Sequence, residues 1–118
     1  VRDAAERLAA RLEAAADESV LLNRQIALVM TAEGYGFDRR EQDGWHRLET
    51  RAAMGFQAWP AALRAQIEAP ALSERDGNRI AFLDPLGGAT PMRIVIGDTV
   101  KWSVEIDREG AIHADRAS

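Results

Sequence analysis

The chain changes its hydrophobic period part-way along. Over residues 1–69 apolar positions recur every three or four residues; beyond Arg79 they alternate one by one. Val1, Ala5, Leu8, Leu12 and Ala15/Ala16 make an apolar stripe, with Arg2, Asp3, Glu6, Arg7 and Arg11 off it, which predicts a helix whose small residues suit close packing. Asp17 or Ser19 is placed to cap a second helix that carries Leu22, Ile26, Val29 and Met30 and stops at Gly34. Asp38 and Glu41 have capping-box spacing for a short third turn. Trp45, Leu48 and Ala52 predict a further helix ending near Gly55. Pro60 suits a first turn, with Leu63 and Ile67 one turn apart and Pro70 closing the segment.

Past the Asp76-Gly77-Asn78 turn the pattern is that of strands. Residues 79–84 and 92–96 predict two of them, joined by the loop from Pro85 to Pro91. From Val100 onward Val100, Trp102, Val104 and Ile106 share one face, and Lys101, Ser103, Glu105 and Asp107 the other. A three-residue connection after Ile96 keeps the apolar faces together and pairs Ile96 with Val100, Ile94 with Trp102 and Met92 with Val104. A one-residue slip would reverse every side chain. Asp107 and Gly110 suit a type I turn with a bulge, which sets Ile106 opposite Ile112, Val104 opposite Ala114 and Glu105 opposite His113. The predicted fold class is α+β in a single domain, residues 1–118. A helical layer of three to four helices (1–69) packs on a three- or four-stranded antiparallel meander (79–115).

Composition narrows the chemistry. The chain has 118 residues and a net charge of −4, with both signs interspersed, so no basic block is available to neutralise a row of phosphates. Nucleic acid is therefore not an expected partner, although helices followed by a hairpin share the outline of a winged-helix DNA binder. No apolar run approaches the length of a membrane span, and a cytoplasmic protein without membrane contact is expected. The fourteen arginines against one lysine, with abundant alanine, suggest a bacterial source. Residues 97–102, GDTVKW, resemble a phrase of cupredoxin-type copper proteins; that site needs a cysteine thiolate, and the chain has no cysteine.

Candidate sites are few. Glu105 beside His113 on the polar sheet face with Lys101 has the look of an oriented histidine, yet no nucleophile completes a relay, and ordinary cross-strand pairing accounts for it. His46 and Glu49 supply two metal ligands where a site needs three or four. No catalytic residue, metal ligand or cofactor is therefore expected. Trp45, Arg47, Arg51 and Trp59 form the candidate interaction patch, because tryptophan and arginine dominate binding hot spots. The function expected is a small, soluble, non-catalytic domain that binds another protein as an adaptor, an inhibitor or immunity-type partner, or an accessory subunit. A homodimer through a sheet edge is a further expectation. The alternative is a small-molecule or sensory module with a pocket lined by Phe56, Trp59, Phe82 and Trp102.

Overall fold

A computed structural model describes residues 1–48, 55–60, 63–68 and 78–117. Among them lie one helix, α1 (Arg2–Leu22), and nine strands. Five of the strands form one sheet: β1 (Ile26–Met30), β2 (Gly34–Glu41), β3 (Gly44–Arg47), β4 (Gln57–Ala58) and β6 (Arg79–Leu83), with β3, β2, β1 and β6 side by side and β4 also on β2. The second sheet runs β5 (Ala65–Glu68), β7 (Met92–Gly97), β8 (Lys101–Ile106), β9 (Ile112–Ala117). Every pairing is antiparallel.

The first predicted helix exists and is longer than its stripe suggested. It runs through Asp17 and Ser19 and ends where Asn23 takes a left-handed conformation (φ 53°), its N–H reaching the Val20 carbonyl while the Arg24 N–H reaches that of Ser19. Ala5, Leu8, Leu12 and Ala15 are buried against both sheets.

The remaining helices are corrected to strands and the segments that connect them wherever the structure describes them, apart from Leu22, which ends α1. Ile26–Met30 is five consecutive buried residues between β2 and β6, and the helical spacing of Ile26, Val29 and Met30 is an accident of a strand covered on both faces. Gly34-Tyr35-Gly36 is no helix stop. A Cβ on Gly34 would lie 2.2 Å from the Gln57 carbonyl oxygen and 2.8 Å from the Phe56 ring, so glycine there lets residues 56–58 close over β2. Asp38 and Glu41 belong to β2, Trp45 to β3 and Ile67 to β5. Since β3 occupies the start of the helix predicted from Trp45, the winged-helix outline is lost. The helical prediction for 49–54 lies outside the described residues.

The second sheet follows the predicted alternation. Ile106 faces Ile112, Val104 faces Ala114 and Glu105 faces His113, as the turn chemistry requires. In the β7–β8 hairpin the apolar faces stay together, but Ile96 pairs with Trp102, Ile94 with Val104 and Met92 with Ile106. The loop keeps its predicted three residues but lies one position later, at Asp98, Thr99 and Val100, because Gly97 pairs with Lys101, and this shifts each pairing by two. Val100 is therefore exposed rather than part of the core.

Candidate functional site: an arginine–tryptophan sheet face

Alternation along β2 divides its side chains. Tyr35 and Phe37 point into the core beneath α1, whereas Gly36, Asp38 and Arg40 belong to the outer face. Register brings their neighbours onto that face: Arg47 opposite Asp38, Trp45 opposite Arg40, Ala27 opposite both Asp38 and Phe82, and Arg79 opposite Val29.

Asp38 organises the cluster. It is only 7% exposed, and its two carboxylate oxygens each accept a 3.0 Å hydrogen bond, one from Arg47 Nε and one from Arg79 Nε. A buried carboxylate held in this way fixes the two guanidinium groups on either side of it. Trp45 sits between cations, with the Arg40 guanidinium 5.4 Å and the Arg79 guanidinium 5.1 Å from its ring, and it packs on Phe82 at 5.8 Å. Each such stack is worth about 0.5–1 kcal/mol near solvent. Phe56, half exposed, lies over Gly34 and Gly36 next to Arg47. The result is an aromatic floor with arginines standing on it. Arg40 and Arg47 are exposed, and Arg40 has no carboxylate partner among the described residues.

Two of the predicted patch residues, Trp45 and Arg47, thus share this face, although on a strand. Arg51 lies outside the described residues. Trp59 does not join them: its ring packs 5.0 Å from Tyr35 on the core side, where it borders a cleft of about 120 Å³ with Asp3, Ala4, Arg7 and Pro60. Tyr35 lines the same cleft, and its buried Oη has no hydrogen-bond partner among the described residues. Burial pushes its phenol above the ordinary range, partly offset by Arg11 and Arg7. The four aromatics expected around one ligand pocket are on separate surfaces. Phe56 and Phe82 lie on the outer face, Trp59 lies in the cleft, and Trp102 packs at the core edge with Arg2 5.5 Å above it.

The polar face of the second sheet is differently built. Lys101, Glu105 and His113 are all exposed there. Glu105 accepts from Arg93 Nε at 3.1 Å, and the same guanidinium donates to Glu68 at 2.5 Å. Ser103 on this face is buried, with its hydroxyl directed at the Asp115 carbonyl. His46 meets Asp43 at 2.7 Å across the β2–β3 turn, which holds the Asp43 carboxyl below its usual value. Among the described residues no group of three histidines or carboxylates converges.

Sequence reasoning missed Asp38, Arg40 and Arg79 as members of this face and assigned Phe82 to a pocket instead. The signal was present in GYGFDRR, whose period of two already placed Gly34, Gly36, Asp38 and Arg40 together. The model of the type II transport protein GspH family matches residues 4–110. The chain belongs to that family. Two solved structures of the minor pseudopilin EpsH from the type II secretion system of Vibrio cholerae share its fold. One has a TM-score of 0.80 at 17% identity, over 96% of this chain and 94% of that one; the other has 0.83 at 14% identity, over 99% and 94%. No curated protein matches the sequence significantly.

As a GspH-family chain the protein is an accessory subunit of a multi-protein secretion system, a role not known to involve catalysis. Two expectations are corrected here. Pseudopilins of this kind are periplasmic and membrane-anchored, which replaces both the cytoplasmic location and the absence of membrane contact. Described helix α1 is itself not apolar enough to cross a bilayer.

Proposed function

We propose that the protein works as a minor pseudopilin, assembling with other pseudopilins of the type II secretion system, and that the outer arginine–tryptophan face is one of its docking surfaces. The observation that carries the reading is the family match over residues 4–110 combined with the shared two-sheet fold. The docking assignment is supported by the composition of the face: exposed Arg40, Arg47 and Phe56 around a half-buried Trp45, the residue types that concentrate binding energy. Loss of the gene should abolish export of the secreted proteins of the source bacterium, and the wild-type gene should restore it. A Trp45→Glu variant that folds should restore export poorly and lose its pseudopilin partners in co-purification. Full export without the gene would refute the subunit role, and full export with Trp45→Glu would refute the docking face.

A further inference from the structure

Tyr35 carries a hydroxyl that the packing does not require. Beside Phe37 it fills the core beneath α1, and the two rings meet edge-on at 6.5 Å, a role that a phenylalanine would serve as well. The Tyr35 Oη is buried and meets no hydrogen-bonding group among the described residues, which weakens the folded state. Its charged neighbours, Arg7 and Arg11, offer donors only. Arg11 stacks at 5.5 Å on the Tyr35 ring and donates to the Gly55 carbonyl. Burial holds the phenol protonated at neutral pH. The hydroxyl is a donor without an acceptor.

The cleft of about 120 Å³ between the start of α1 and residues 57–60 has room for one. Arg7 both lines it and lies close enough to act on the phenol, which puts the hydroxyl end of Tyr35 on that side. Two rings line the cleft, Trp59 and Tyr35, 5.0 Å apart and tilted by 47° rather than stacked. Ala4, Ala58 and Pro60 complete the apolar lining with side chains too short to fill the space. An apolar cavity of about 150 Å³ holds a benzene ring, so one six-membered ring is the size that suits a slightly smaller space with an open side. The rim carries one charge of each sign, Asp3 and Arg7, both exposed, and so favours neither an anion nor a cation. We propose that this cleft binds a compact, uncharged, ring-sized apolar molecule bearing one hydrogen-bond acceptor, with the acceptor on Tyr35 Oη and the ring against Trp59, Ala4 and Ala58. The site is separate from the arginine–tryptophan face, since Tyr35 and Asp38 lie on opposite sides of β2, and it does not depend on docking there.

Benzene and pyridine are the probes, two rings of one size and shape of which only pyridine carries an acceptor. Each is titrated into the 118-residue chain at a pH where pyridine is neutral, with binding read from the NMR shifts of the Ala4 and Ala58 methyl groups and the Trp59 indole. Both should bind with a Kd of about 1–10 mM, as suits ligands of six heavy atoms. In Tyr35→Phe, which removes only the hydroxyl, the affinity for pyridine relative to benzene should fall about fivefold. Ala4→Leu, which sets a larger side chain in the cleft, should weaken both probes at least about tenfold. Thermal melts establish that both variants are folded, and Ala58→Leu takes the place of Ala4→Leu if that variant is not. Shifts at these residues that fail to appear with pyridine or with benzene at about 20 mM would overturn the proposal. So would an unchanged pyridine-to-benzene ratio in Tyr35→Phe, or undiminished binding in the filled variant.

Discussion

The outer faces of the two sheets are made of similar residues and end up in opposite electrostatic states. On the second sheet Arg93 lies between Glu68 and Glu105, so the cation and its acids satisfy each other at the surface. On the first, the acid is the buried one: Asp38 is enclosed, while Arg40 and Arg47 reach solvent and Trp45 stacks beneath. A face that neutralises itself offers a neighbour little. One that encloses its carboxylate and displays guanidinium groups has the charge that the proposed docking would use. The difference arises from which residue of each ion pair the packing encloses.

Asp38→Ala should separate the two faces most sharply. It leaves Arg47 and Arg79 without the carboxylate they share, and should cost about 2–3 kcal/mol in urea unfolding, somewhat below the range for fully buried pairs because Arg47 is partly exposed. Gly34→Ala should cost about 2 kcal/mol by pushing residues 56–58 off β2, and should release Phe56 from the outer face, seen as lost amide protection. Tyr35→Phe, on the core side of the same strand, should stabilise by about 1 kcal/mol, since it removes a buried hydroxyl with no partner among the described residues. The pH dependence has a definite sign. The folded phenol ionises later than the unfolded one, so wild-type stability falls as pH rises above about 10, and Tyr35→Phe lacks that part of the loss. Glu105→Ala should change stability by less than about 0.5 kcal/mol, because its pair with Arg93 is solvent-exposed. An effect there as large as that of Asp38→Ala would erase the distinction between the faces.

How much of this was legible in the sequence follows the same division. The second sheet turns one face to the core and one to water, so strict alternation from Lys101 to Ile106 gave its faces, and Asp107 with Gly110 gave the β8–β9 register. Loop position defeated the β7–β8 register, since moving a three-residue loop by one place shifts the pairing by two, which preserves the faces and leaves no trace in the pattern. The first sheet was misread because β1 is buried on both sides and β2 is studded with glycines. Ile26–Met30 has no polar residue to mark a period of two, and Gly34 and Gly36 look like helix punctuation until β4 closes over them. Trp45 and Arg47, singled out together as part of one candidate patch, do share a face, on a strand rather than a helix. Their partners Asp38 and Arg79, nine and thirty-two residues from Arg47 in sequence, are brought in by strand pairing alone.

A photo-crosslinking residue placed at position 40 on the first outer face, and separately at position 105 on the second, tests the central claim in the living source bacterium. With products identified by mass spectrometry, position 40 should join this chain to a pseudopilin, another copy included, and position 105 should give little or no such product. Pseudopilin adducts formed from position 105 and absent from position 40 would contradict the account.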